Sequence, residues 1–399
     1  MEIRNIENSE FKELKKLSNY GFSKWKDEVE DEEKLDWFEN ADNLGVFEDD
    51  ELLSALTLHH FDQIVRKDIK KMGGIGGVAT YPEYRNKGLI SSLMKESFKK
   101  MKDNDQSVSM LFPFKESFYE KYQYVSTNNN MKLKVPIESF EHYRNYEAEG
   151  DWKVIRKDSE HSQEDFLKLT KKAALQRYHG TVLLDTKSED IWHIYSKDQI
   201  FVFIKRDDKI VAGAKYTKKG YMKMNTPGEL NVSNMYWTDL DSRNMLFKFF
   251  SKHIDQVETI KMFIPYGTNF YSWLKNNRKV EADFMPFPWM VRIIDVEDAL
   301  NNITIDQEGS MTIKVKDKSC DWNNNNYLLE SKNGKLRVKE TDEGEEVTLS
   351  IDALSSFLYG AYSFKETEKL YSITYHDESK RKLLKRWFPQ ELIFNPNFF

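Results

Sequence analysis

The chain has 399 residues, 14% of them aromatic and 32% charged, with a net charge of −6 at pH 7. That length calls for more than one core, since single cores stop growing at roughly 250–300 residues, and large aromatics under a charged surface belong to globular domains rather than to a disordered chain. The acidic balance argues against a general nucleic-acid binder, which would carry a basic face, and a single cysteine, Cys320, excludes both an intrachain disulfide and a paired-thiol metal site.

The N-terminal stretch Met1–Glu10 carries charge and no apolar run, so no signal peptide is expected. No segment reaches the ~20 apolar residues of a membrane span, and a cytoplasmic protein is expected. A strand over Glu2–Ile6 and a helix around Phe11–Leu17 open the chain. The acidic run Asp27–Glu33 then reads as a solvated face or loop. Asn43–Glu48 and Leu52–His59 alternate as paired strands about a turn at Asp49–Glu51. His59 and His60 are adjacent, but strand neighbours point to opposite faces and no third ligand is spaced to join them, so no metal is expected.

Gly73-Gly74-Ile75-Gly76-Gly77 follows, where missing side chains would let a ligand lie against strand backbone. Val78–Ser91 then reads as a strand that runs through Arg85-Asn86-Lys87-Gly88 into a helix, with Leu89, Ile90, Leu93, Met94, Phe98 and Met101 at helical spacing. The first N–H groups of such a helix lack intrahelical partners and carry the positive end of its dipole. With Arg85 and Lys87 they make a phosphate cradle. Val108–Phe112 is a buried strand closed by Pro113, and a short helical stretch, Glu116–Tyr122, precedes Gln123-Tyr124-Val125.

A second α/β block starts after Lys132–Val135, with a helix around Asp165–Ala174, strands at Ile200–Ile204, Lys209–Tyr216, Asn231–Tyr236 and Thr259–Ile264, and a helix around Arg243–Ile254. It repeats the first block's order without an Arg-x-x-Gly turn or a Tyr segment. Trp152, Trp192, Trp237 and Trp273 read as packing residues, with no basic cluster beside them. The prolines in Met285–Pro288 mark a linker to a third block. There Val291–Val296 reads as a strand and Asp295 as a helix cap, followed by strands at Met311–Lys316, Tyr327–Leu329, Lys335–Lys339 and Glu346–Ser350 and a capped helix at Asp352–Gly360.

Strand, phosphate turn, helix, strand and Tyr-bearing helix in this order resemble the acetyl-CoA half of the GNAT acyltransferases. Their turn is Gln/Arg-x-x-Gly-x-Gly/Ala, and their Tyr lies shortly before a Gly-aromatic pair. Here Ile90 stands where the second small residue is usual, and Gln123 where the Gly is usual. The third block resembles a sterol carrier protein-like α+β domain. The whole chain is similar to the Eis (enhanced intracellular survival) acetyltransferases, most sharply at Val78–Ser91, Phe118–Tyr124, Trp289–Leu300 and the terminal Phe398-Phe399.

The resemblance implies a mixed α+β fold of tandem GNAT-like domains, each a mixed central sheet flanked by helices, plus the sterol carrier-like domain. The expected blocks are residues 1–128, 129–284 and 285–399. It also implies a homo-oligomer, a hexamer, that transfers acetyl from acetyl-CoA to amines such as aminoglycosides, with no metal. Carried onto this sequence, Val78, Ala79 and Thr80 would line the acyl and pantetheine arm. Arg85, Asn86, Lys87, Gly88, Leu89, Ile90 and Ser91 would hold the diphosphate, and Phe114 and Lys115 would touch the thioester end. Tyr119 would be the proton donor and the Phe399 carboxylate the acceptor.

The chemistry fits the first role better than the second. A neutral amine attacks the thioester and a thiolate leaves; a phenol at ~10 can protonate an alkyl thiolate whose acid lies at ~8.5. A terminal carboxylate at ~3.5 is a poor base for an alkylammonium at ~10, and is better read as an electrostatic anchor first and a base second. A backbone N–H of the 78–80 strand would serve the oxyanion. Two rival readings are an aminoacyl-tRNA-dependent transferase of cell-wall precursors, opposed by the acidic charge and the intact turn, and a non-catalytic sensor of acyl-CoA, left open by Ile90 and Gln123.

Overall fold

Period-two alternation builds a long sheet in the first third of the chain, and a computed structural model describes residues 1–22, 36–127, 130–184, 192, 196–220, 228–285 and 288–399. The acidic run Asp27–Glu33 lies outside them. Two compact units form: Met1–Thr127 with Trp289–Glu391 and Phe399, and Asn128–Pro288 with Leu392–Phe398.

In the first unit the strands β1 (Glu2–Asn5), β2 (Ala41–Glu48), β3 (Glu51–Val65), β4 (Asp68–Thr80), β5 (Val108–Leu111) and β6 (Val125–Ser126) are joined by α1 (Phe11–Gly21), α2 (Asp36–Glu39), α3 (Leu89–Asp103) and α4 (Glu116–Glu120). β1 to β4 form antiparallel neighbours, and β4 and β5 run parallel. The strand read as opening the third block is built into this sheet: Met290–Ile293 lies between β5 and β6 and pairs antiparallel with both. The helix α3 buries Leu89, Leu93, Met94, Phe98 and Met101, as its spacing requires, and Lys100 and Lys102 complement its C-terminal dipole. Asp295 caps the helix that follows Ile293, accepting from Asp298 N at 3.0 Å.

The sterol carrier-like portion of this unit is a five-stranded sheet in the order Lys335–Glu340, Asn326–Lys332, Gly309–Lys316, Val347–Ser350, Ile373–Tyr375, with helices at Ile351–Tyr359, Phe364–Leu370 and Glu378–Trp387. The tip of the β3–β4 hairpin is anchored here. Arg66 and Lys67 turn with φ of 46° and 61°, and the buried Arg66 guanidinium donates to Phe357 O and Leu358 O, both at 2.7 Å, and to Pro389 O at 2.9 Å. It thereby adds a donor to the last carbonyls of the helix Ile351–Tyr359, of which Phe357 O also accepts from Gly360 N at 3.1 Å. Cys320 is buried, as a small core residue should be.

The second unit has β7 (Asn130–Pro136), β8 (Trp152–Lys157), α5 (Gln163–Arg177), β9 (Ile200–Arg206), β10 (Lys209–Lys219), β11 (Glu229–Trp237), α6 (Leu240–Ser251), β12 (Thr259–Pro265) and β13 (Glu281–Phe284). Its sheet runs β13-β7-β12-β11-β10-β9-β8, with β11 and β12 parallel. That pairing ends at Val232 and Met262. Beyond it the segment Leu392–Phe398 is tied to both sides: Asn234 on β11 donates to Asn397 Oδ1 at 2.9 Å, and Asn130 on β7 donates to Asn395 O at 2.7 Å. The opening between the parallel strands is therefore occupied by the chain's own tail. Asp239 caps α6, accepting from Ser242 N at 2.9 Å, so a carboxylate stands at the helix start that would face a phosphate.

The four tryptophans differ from expectation in one respect. Trp192, Trp237 and Trp273 are buried as packing residues, but each has a cation over its ring: Lys215 at 5.8 Å, Arg177 at 5.9 Å and Arg243 at 5.2 Å. Half-buried Trp152 has Arg206 at 5.3 Å. Basic residues far apart in sequence converge on them across strands, which spacing along the chain does not reveal.

Candidate active site

The first unit opens where the second is plugged. β4 and β5 pair in parallel only from Met72↔Val108 to Ile75↔Leu111, while β4 runs on to Thr80 along β3 alone. The register along β3 slips between Ala55 and Thr57, and Gly77 takes φ 59° there, with Thr57 Oγ1 only 3.0 Å from where its Cβ would be. This is a glycine bulge, which bends β4 away from β5. Tyr81 N donates to Leu53 O at 3.2 Å, so antiparallel alternation turns the Thr80 amide toward the open side of the fork. Backbone donors and acceptors facing a gap between parallel strands can pair with an amide-bearing ligand as a strand would.

The turn continues the same opening. Arg85 folds back, its Nε donating to Thr80 O at 3.2 Å, and Asn86 takes φ 62°. Gly88 is the helix N-cap at φ 80° with no side-chain cap, and a Cβ placed on it would meet nothing within 4 Å. The amides of Leu89, Ile90 and Ser91 thus begin α3 over open space, with exposed Lys87 beside them. The Lys87 ammonium sits 4.8 Å from the Tyr84 ring. Ile90 is not in the way: it packs, with Val78 and Phe118, against the core cluster that holds Leu89, Leu111 and Tyr119. That cluster is what brings the end of β4, the turn and the Tyr119 helix together.

Tyr119 is buried at 3% exposure, ringed by Phe114, Phe118 and Tyr124 at 5.8, 5.1 and 6.3 Å. Its neighbours' hydroxyls are engaged, Tyr122 with Ser91 Oγ at 2.9 Å and Tyr124 with Ser109 Oγ at 2.7 Å. Among the described residues none holds the Tyr119 hydroxyl. Burial, with a smaller contribution from Tyr122, pushes its pKa well above the ordinary phenol value, so it keeps its proton through the neutral range. Phe114 is 61% exposed at the same rim, and Lys115 caps α4 from the surface. Gln123 takes the left-handed conformation a glycine usually supplies, φ 62°. Its side chain offsets the strain by accepting from Lys318 N at 2.8 Å.

The Phe399 ring lies on the other face of β4. It stacks on Trp289 at 5.1 Å and tilts against Phe61 at 5.0 Å, and a Cβ on Gly74 would fall 2.7 Å from it; Gly73, one residue earlier, faces Met101 of α3 instead. His59 stands edge-on to the same ring at 6.5 Å. Sequence reasoning missed Phe61, Trp289 and His59 as neighbours of the chain terminus, because only the folded sheet brings them there. Burial, reinforced by His60, pushes the His59 pKa down to about 3. Its proton is refused by the folded state but taken by the unfolded one from about pH 6.5 downward. Stability should therefore fall as pH drops from about 6.5 toward 3, and urea unfolding should show a flatter pH profile for His59→Gln; an unchanged slope would remove His59 as the cause. Among the described residues no group of three His, Cys, Asp or Glu could hold a metal ion.

Comparison with known proteins gives this geometry a context. Residues 2–126 match the Acetyltransferase (GNAT) domain, and residues 296–394 match the Sterol carrier protein domain. No curated protein matches the sequence. Among solved structures, a GCN5-related N-acetyltransferase from Anabaena variabilis superimposes with a TM-score of 0.83 at 16% identity, covering 100% of both chains. A probable N-acyltransferase from Enterococcus faecalis, a conserved protein of unknown function, gives 0.83 at 18% identity, covering 100% of this chain and 99% of that one. Eis1 from Mycobacterium abscessus gives 0.80 at 13% identity over 100% of both. At these identities the likeness is one of fold, and it is the fold expected: mixed α+β, with tandem GNAT-like sheets and a sterol carrier-like domain. The chain carries an N-terminal GNAT acetyltransferase domain and a C-terminal sterol carrier protein domain.

Proposed function

We propose that the protein transfers acetyl from acetyl-CoA to primary amines of small molecules of the aminoglycoside or polyamine kind. The observation that carries this is the fork between β4 and β5, continuous with an open helix start at Gly88 and bordered by a buried tyrosine whose hydroxyl no described residue holds. Val78, Ala79 and Thr80 would pair with the pantetheine arm. Arg85, Asn86, Lys87, Gly88 and the amides of Leu89, Ile90 and Ser91 would hold the diphosphate, and Phe114 and Lys115 would border the thioester. Acetyl-CoA supplies an activated acyl group and a thiol leaving group. Tyr119 would protonate the departing sulfur, and the Phe399 carboxylate would anchor the substrate ammonium and accept its proton.

In this reading residues 1–128 are the catalytic domain, 129–284 a degenerate copy and 285–399 the domain that ends in the active-site carboxylate. The occupied fork and the Asp239 cap of the second unit support the degenerate reading. We place the protein in the cytoplasm, consistent with its one buried, reduced thiol, and as a homo-oligomer, a hexamer by the Eis resemblance. Calorimetry with acetyl-CoA, followed by thiol release across an amine panel, tests the assignment. Binding with amine-dependent thiol release is expected; binding without turnover would make it a sensor, and no binding would end the proposal.

The terminal carboxylate has its own check. Appending three glycines after Phe399 should lower kcat by about 10²-fold while acetyl-CoA affinity stays near normal, the scale of a lost acid–base group. Native rates in the extended protein would exclude the carboxylate from the reaction.

A further inference from the structure

We propose that the second unit carries a binding site of its own, for a small organic anion with a flat apolar body, in the groove between strand β8 and helix α6. The cavity there measures about 430 Å³, within the range that holds small ligands. Its lining joins two kinds of side chain. Arg156, Lys248, Lys252 and His253 bring positive or proton-bearing groups, and Trp152, Met245 and Phe249 bring apolar surface. Among the described residues no carboxylate lines it. In a chain with a net charge of −6 that concentration of one sign is unlike the average surface.

The groove is also pre-set. Trp152 Nε1 donates to Ala148 O at 3.0 Å and to Glu149 O at 3.1 Å, which fixes the indole, and Arg206 covers it at 5.3 Å. Lys248 Nζ donates to Tyr146 O at 2.6 Å. His253 Nδ1 lies 3.2 Å from Phe249 O; a carbonyl can only accept, so that nitrogen carries the proton. Arg156 and Lys252 are exposed, and no ion pair among the described residues engages either. Two cations without counter-charges beside a fixed indole are the parts of a site that takes an anion on an aromatic or otherwise flat body. Burial, with smaller contributions from Lys218 and Arg156, holds His253 below its ordinary pKa.

The site is independent of the acetyl-transfer reading, since it involves none of the residues around β4, Gly88 or Tyr119. The probe is phenyl phosphate, titrated calorimetrically into the full chain with and without saturating coenzyme A, beside inorganic phosphate. Expected are one site per chain with Kd about 1 mM or tighter, insensitive to coenzyme A, and at least about 10-fold weaker in the R156E/K252E variant, whose fold is checked by circular dichroism. Phenyl phosphate should bind several-fold more tightly than inorganic phosphate, and Trp152→Ala should erase that preference. No binding, binding that survives the double charge reversal, or binding that coenzyme A displaces would overturn the site. Equal affinity for the two phosphates would overturn the apolar half of the ligand.

Discussion

Tyr119→Phe should lower kcat by about 10²- to 10³-fold with KM for acetyl-CoA nearly unchanged, the loss typical of a positioned general acid. The reasoning is local. The ring supplies the packing, against Phe114, Phe118 and Tyr124, and phenylalanine keeps it. The hydroxyl holds no described partner, so its removal breaks no internal bond and the melting temperature should stay within about 2 °C of the native value. Burial raises the phenol's pKa, which keeps it protonated near neutrality but weakens it as an acid, so the expected loss rests on its position and not on its acidity. Steady-state kinetics and a thermal melt on the same preparation check both halves. Native kcat would require a different acid, and a collapsed melt would mean that the hydroxyl is structural.

The second large effect is on stability. Arg292, on the strand inserted between β5 and β6, places Nη2 at 2.7 Å from both oxygens of Asp317, and neither side chain has any exposed surface. Asp317 also accepts from Ser319 N at 2.9 Å, Cys320 N at 3.0 Å and Asn323 Nδ2 at 2.9 Å. Asp317→Ala leaves a guanidinium in the core without its counter-charge, which costs about 3–5 kcal/mol, a large share of the ~5–15 kcal/mol that holds a domain folded. Urea unfolding should show it as a fall in midpoint. The double variant R292M/D317L should recover much of the loss, since well-packed apolar residues replace a buried pair with little penalty. Turnover should not recover with it. Arg292 Nη1 also donates to Tyr122 O, in the turn that follows Tyr119, and methionine cannot replace that bond. A loss below 1 kcal/mol in Asp317→Ala would show that water or a rearrangement reaches the guanidinium.

What the sequence revealed and what it hid divide by range of contact. The turn into α3 was legible because its cause is local: Gly88 ends the strand-to-helix turn, and Leu89, Leu93, Met94, Phe98 and Met101 follow at helical period. Asp295 was legible as a cap for the same reason. The surroundings of Phe399 were not, because Phe61, Trp289 and Gly74 come from three distant segments and share no pattern. A strand was read over Val291–Val296 and the fold places it at Met290–Ile293, with Val296 already in the next helix; its apolar run gave no hint of which sheet it would join. Gln123 looked like a departure from a glycine position; the backbone there is still left-handed, and the compensating bond reaches a residue far along the chain. The cations over Trp152 and its fellows were invisible for a related reason: none lies near its tryptophan in sequence.

The inserted strand also dictates an order of events during synthesis. β5 and β6 are made early, yet the strand that bridges them is not translated until Met290 to Ile293 leave the ribosome, after nearly all of the second unit. Until then the nascent acetyltransferase sheet has a missing rung, with two apolar edges available to any neighbouring chain. The central sheet waits longer still, because Leu392–Phe398 belongs to its unit, so both sheets are completed only by residues from the far end of the chain.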